Sequence, residues 1–246
     1  MPLRLAALIK QIPAFEAMAL GADGRLQRDG LPLEMSAYCR RAVALSVALA
    51  RAHGGSVTVI TMGPPSARDV LREALAFADG AGPDGGTPVQ VRGVLVSDVA
   101  FAGSDTLATA KALAATVRRL EADHGAFDLL WCGRNSVDAD TGQVPPQLAE
   151  LLDRPFLTGV KRLELHPGGD GPARLAAGCE LDDVWEEAEV ALPALASAAE
   201  RLIDPCKLKD RATWAPENDA RIVVWDASDL GPGPWGAAAS PTSVGE

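Results

Sequence analysis

Apolar residues in this chain fall in short continuous runs that alternate with stretches of helical spacing. Residues 3–9 (LRLAALI), 56–62 (SVTVITM), 89–96 and 127–132 are the runs, the kind of strand that is buried on both faces of a parallel sheet. Residues 42–52 are alanine-rich and end at His53-Gly54-Gly55, where glycine suits a helix C-cap. Residues 67–78 place Val70, Leu71, Ala74, Leu75 and Ala78 on one helical face. A third helix is expected to run to about residue 121 from an N-cap at Ser104 or Asp105. A fourth follows Gly142, with Val144, Leu148, Leu151 and Leu152 at helical spacing. Strands alternating with helices in this way predict βαβ units and an α/β fold with a doubly wound parallel sheet.

From residue 159 the pattern changes. Residues 160–165, 173–177 and 184–192 are short and separated by turns, with His166-Pro167-Gly168-Gly169 between the first two, which predicts a small antiparallel addition. From residue 201 the chain carries Pro205, Pro216, Pro232, Pro234, Pro241, three of its five tryptophans and one β-like run at 222–225. Such a segment has few apolar partners of its own and is expected to be an arm lying on a partner subunit. The expected division is 1–200, an α/β domain, and 201–246, an extended C-terminal arm. Residues 18–33, with Asp23-Gly24 at the tip, are expected to form a hairpin or long loop, and the glycine- and proline-rich residues 79–88 a surface insertion.

Composition narrows the function. With 246 residues, 48% of them hydrophobic, the chain can bury a full core. No apolar run nears the roughly 20 residues of a membrane span, and residues 1–10 are too short for a signal peptide, so no membrane insertion and a cytoplasmic location are expected. A net charge of −10 argues against nucleic acid or an anionic membrane as partner. Cys39, Cys132, Cys179 and Cys206 form no C-x-x-C pair and only three histidines accompany them, which argues for free thiols and against a metal centre. Glu180, Asp182, Asp183, Glu186, Glu187 and Glu189 are expected to be a solvated sheet face, since alternation along a strand scatters them. Neither a G-x-S-x-G elbow nor a G-x-x-x-x-G-K-[ST] loop is present, and no catalytic constellation is expected.

The candidate site lies between residues 127 and 152, where a strand, Gly133, a polar loop, Gly142 and a helix start follow in order. At the carboxyl edge of a parallel sheet, the free N–H groups of the next helix can hold an anion. Asp138, Asp140, Thr141 and Gln143 beside two glycines suit close approach of backbone to a ligand. The carboxylates would oppose a phosphate, so they are expected to cap, to orient the loop or to meet hydroxyl groups.

The loop Gly133-Arg134-Asn135-Ser136-Val137-Asp138-Ala139-Asp140-Thr141-Gly142-Gln143-Val144 resembles the nucleotide loop of the electron transfer flavoprotein beta subunit, of the form G-K-Q-x-x-D-x-D-T-x-Q. Other stretches resemble that family in the same order: Ile9 to Pro13, Met62 to Pro65, Arg72 to Ala76, Ser97 to Thr109, Leu192 to Ala194, and Trp225 to Leu230 with Ser240 to Thr242. The resemblance implies a Rossmann-like fold of the adenine nucleotide alpha hydrolase type, and a heterodimer whose alpha subunit holds the redox-active FAD. It further implies electrons drawn from a donor dehydrogenase and passed to a quinone oxidoreductase or other acceptor. This chain would hold AMP, or a second FAD in the electron-bifurcating type, a choice turning on the segment around Thr106. By position, the implied contacts are Leu8, Ser36, Ala37, Tyr38, Cys39, Met62, Asp105, Thr106, Thr109 and the loop 133–144. Phe15 and Tyr38 fall where the family faces the flavin. The chain departs from the family's N-P-x-[DC]-E at Ser36-Ala37-Tyr38-Cys39-Arg40. It departs again in the recognition loop, where Lys207, Leu208, Lys209 and Arg211 stand, and an unusual donor is inferred. From other classes, an adenine-nucleotide hydrolase or ligase and a nucleotide-sensing regulatory domain fit the same fold.

Overall fold

A computed structural model describes residues 2–17, 21, 30–80, 89–169, 171–207, 214 and 216–242. The elements in order are β1 (Leu3–Ile9), β2 (Gln11–Pro13), β3 (Leu33–Met35), α1 (Ala37–His53), β4 (Gly55–Met62), α2 (Arg68–Asp79), β5 (Gln90–Val96), α3 (Thr106–His124), β6 (Leu129–Gly133) and α4 (Val144–Leu151). Then come β7 (Phe156–His166), β8 (Arg174–Leu181), β9 (Val184–Ala191), β10 (Ala194–Ala198) and β11 (Ile222–Trp225).

A nine-stranded sheet runs β11-β5-β4-β1-β6-β10-β7-β8-β9, parallel from β11 through β7 and antiparallel at β7-β8-β9. The expected antiparallel addition is thus a continuation of the main sheet, and β2 pairs with β3 in a separate antiparallel ribbon. Helices α1 and α2 cover one face, against Leu5, Ala7, Val57 and Val59; α3 and α4 cover the other, against Ala6, Leu8, Ile60 and Leu130. Covering both faces is why β1 reads as a continuous apolar run, and each enclosed leucine side chain stabilises the fold by roughly 1.5–3 kcal/mol.

Three elements differ from expectation. The helix expected at 42–52 begins at Ala37, because Tyr38, Arg40 and Arg41 interrupt its apolar pattern. The central strand β10 reads ALASA, with no β-branched residue, yet it is wholly buried between β6 and β7. Packing overrides its low strand propensity. The run at 222–225 joins the sheet edge in parallel with β5, so the chain itself supplies partners for part of the tail: Ile222, Trp225 and Cys206 are buried. Arg72 grips Asp219 with two hydrogen bonds of 2.7 and 2.6 Å, and the Arg119 guanidinium lies 4.5 Å from the Trp225 ring. Most of the excursion at 18–33, the insertion at 81–88, and Leu208, Lys209 and Arg211 lie outside the described residues. Among the described residues no helix is long and apolar enough to cross a membrane.

Candidate functional site

The chain leaves β1 for a helix on one face and enters β6 from a helix on the other, so the carboxyl ends of β1 and β6 open onto a crevice where the strand order reverses. The register sets Leu8 beside Ile60 and Cys132, which brings the ends of β1, β4 and β6 to one edge. Leu8 is buried and Met62 half-buried, and both pack on the α3 face. At the start of α1, Ser36 and Cys39 are buried, Tyr38 is half-buried and Ala37 is exposed. Gly133 is what lets the loop meet this helix. A Cβ there would lie 2.8 Å from Tyr38 Cβ and 2.9 Å from the Cys39 nitrogen, too close for any side chain.

The loop after Gly133 is braced from within. The Arg134 N–H donates to the Ala198 carbonyl at 3.1 Å, and Ser136 O accepts from the N–H groups of Ala139 (3.1 Å) and Asp140 (2.7 Å). Asp140 takes a left-handed backbone (φ 48°), which aspartate tolerates. Its Oδ1 accepts from Asn135 Nδ2 at 2.7 Å, while Asn135 Oδ1 occupies the space a Cβ on Gly142 would need. Lys10 Nζ donates to Asp138 Oδ1 at 2.8 Å and to Ser136 Oγ at 3.1 Å, and the Asp138 side chain is wholly enclosed. The two carboxylates therefore orient the loop, as expected of groups that would oppose a phosphate. Lys10 is absent from the expected set; its signal is its place immediately after the first strand, at the same sheet edge. Val137, Ala139, Asp140, Thr141 and Gln143 form the exposed side of the loop.

The start of α4 differs from the expected anion cradle. Its first three residues are Val144, Pro145 and Pro146, and proline has no N–H, so two of the donors a helix start offers are missing. Thr106, at the start of α3, donates to Gln143 Oε1 at 2.9 Å, and Gln147 Nε2 lies 3.4 Å from Thr106 Oγ1. Thr109 lies one turn further along α3, half-buried. Asp105 is engaged inside the protein: it caps α3 through the Ala108 N–H at 2.9 Å and holds Thr242 with its other oxygen.

Among the described residues, two enclosed polar atoms at this edge, Thr61 Oγ1 and Gln147 Oε1, have no protein hydrogen-bond partner. Unpaired buried groups of this kind fit a ligand rich in hydroxyl and amino groups. Burial pushes the Cys39 thiol up, only partly offset by the Lys10 backbone, the Ser36 hydroxyl and the Gly133 backbone, and burial likewise raises Cys132. Both thiols are enclosed in the core and are poor nucleophiles. Phe15 opens a short 3-10 turn, but its side chain lies outside what the structure describes, and Lys207 is exposed. Among the described residues no group of three or more histidine, cysteine, aspartate or glutamate side chains is placed to hold a metal.

Residues 23–230 match the model of the electron transfer flavoprotein domain. The chain is 34% identical over 230 residues to the electron transfer flavoprotein subunit beta of Thermoanaerobacterium thermosaccharolyticum, covering 93% of this chain and 80% of that protein. It is 30% identical over 247 residues to CarD, a subunit of the caffeyl-CoA reductase-Etf complex of Acetobacterium woodii, covering 98% and 86%. Protein FixA of Azorhizobium caulinodans is 40% identical over 162 residues, 65% of this chain and 54% of that protein.

Proposed function

Since the chain belongs to the electron transfer flavoprotein family as a beta subunit, we propose that it pairs with an alpha subunit and serves there as a carrier with no catalytic constellation of its own. It takes electrons from a donor dehydrogenase and passes them to a quinone oxidoreductase or another acceptor, in the cytoplasm. The FAD is held mainly by the alpha subunit and supplies the redox chemistry. Phe15 and Tyr38 face it from this side, and the segment bearing Lys207, Leu208, Lys209 and Arg211 meets the donor.

In this chain the crevice holds AMP in a structural role. The observation that carries this is the convergence, at the β1/β6 switch point, of Leu8, Ser36, Met62 and the braced loop 133–144 around unpaired buried polar atoms. Leu8 and Met62 wall the adenine, while Ser36, Gln143 and Gln147 offer it or its ribose hydrogen bonds. The loop backbone before Val144 meets the phosphate. With Pro145 and Pro146 at the helix start, few N–H donors remain, which suits one phosphate better than the pyrophosphate of a dinucleotide. A second FAD, the electron-bifurcating arrangement, would rest on the resemblance of residues 101–109 to that type. Phe101, Gly103, Ser104 and Asp105 of that segment are occupied by contacts within the chain.

The test is Asp140→Gly in the heterodimer. Glycine keeps the left-handed backbone available and removes the acceptor of Asn135, so bound AMP should be lost several-fold more readily at little change in melting temperature. Unchanged AMP retention would remove the loop from the site.

A further inference from the structure

Asp105 joins two parts of the molecule that are far apart in sequence. Its Oδ1 accepts the Ala108 N–H at 2.9 Å, which caps α3. Its Oδ2 accepts both the N–H (3.1 Å) and the hydroxyl (2.7 Å) of Thr242, and its own N–H donates to Ser240 Oγ at 2.9 Å. An N-cap needs one oxygen; the second is given wholly to the C-terminal segment. That segment closes over the whole connection from β5 to α3. The Ser97 N–H donates to Trp225 O at 2.9 Å, the Ala227 N–H to Asp98 Oδ2 at 3.1 Å, and the Ala237 N–H to Ala102 O at 2.9 Å. Trp235 packs edge-on against Phe101 at 5.9 Å. Gly236 sits so close that a Cβ would lie 2.2 Å from Ala100 O. The residue after Asp105 is Thr106, whose hydroxyl donates to Gln143 in the loop 133–144.

We propose that Asp105, Ser240 and Thr242 are positioning residues: a clasp by which the C-terminal segment fixes the start of α3 and, through Thr106 and Gln143, holds the nucleotide loop in its binding position. The clasp contacts no ligand itself. It acts from Thr242 to Asp105 by hydrogen bonds, on to Thr106 through the peptide bond, and from the Thr106 hydroxyl to Gln143. Its bearing on affinity rests on the loop 133–144 being the AMP loop, as proposed above; its bearing on loop order does not.

The experiment compares the full-length heterodimer with its Ser240→Ala/Thr242→Val variant, alone and combined with Thr106→Val, measuring AMP affinity and amide hydrogen exchange in the same samples. The clasp predicts AMP binding weakened about fivefold or more and faster exchange across 134–144 in the double variant, with no further change when it is added to Thr106→Val. If the wild type binds no AMP but loop exchange still follows this pattern, the clasp stands and the AMP site is wrong. Faster exchange confined to 225–242, with the loop and AMP affinity unchanged, would overturn the clasp. So would equal losses with and without Thr106.

Discussion

At Gly133 a single absent carbon decides how close the loop comes to α1. A Cβ there would collide with backbone and Cβ atoms of the first helical turn, none of which is the free end of a flexible side chain. Gly133→Ala is therefore expected to destabilise the fold by about 1–3 kcal/mol, as overpacking does, and to weaken AMP retention together with stability, as read by thermal melts and nucleotide release. A neutral effect on both would mean that the loop does not depend on this contact. Lys10 works at the same scale. Its ammonium reaches an enclosed carboxylate on the loop, and so ties the end of the first strand to the residues that follow the sixth.

The C-terminal segment, as an element, is attached largely through carboxylates. The Asp98 carboxyl is held below the usual range by the N–H groups of Ala100 and Ala227, and that of Asp219 by Arg72. At Asp105 burial opposes ionisation, but the Ala108 N–H and Thr242 outweigh it. A carboxylate with a depressed pKa contributes stability in full above its unfolded value, near 4, and loses it as pH falls through the lower folded value. The segment should thus stay docked at neutral pH and come loose below about pH 4, seen as a change in Trp225 and Trp235 fluorescence before the central strands lose structure. Release on raising the pH from neutral would contradict this attachment. Elements also mark the limits of what the sequence reveals. β1, β4 and β6 are legible because burial on both faces leaves nearly continuous apolar runs, and β5 through its last residues, Val94-Leu95-Val96. β10 is not, because alanines between two parallel neighbours carry no strand signal. β11 appears as a lone β-like run, whose partner, β5, is far away in sequence.

For the whole molecule, the parallel order around β1 places the ends of strands far apart in sequence at one crevice. The loop 133–144 is legible in the sequence as a candidate site, since glycines and short polar residues stand between a strand and a helix. What local sequence does not reveal is the company the loop keeps. Lys10 braces it from the end of β1, Thr106 from the start of α3, and Asp105 turns away toward Thr242. The positions are marked in the sequence, Lys10 after the first strand and Asp105 as a helix N-cap, but which residue each one meets is a tertiary fact. The central claim is that this chain, paired with an alpha subunit, holds AMP at the β1/β6 crevice beside a single flavin. The direct measurement is to co-purify the chain with its alpha subunit, release the bound nucleotides and quantify them alongside the absorbance spectrum of the intact complex. One FAD and one AMP per heterodimer is the predicted result; two FAD, or no adenine nucleotide beyond that of the flavin, would contradict it.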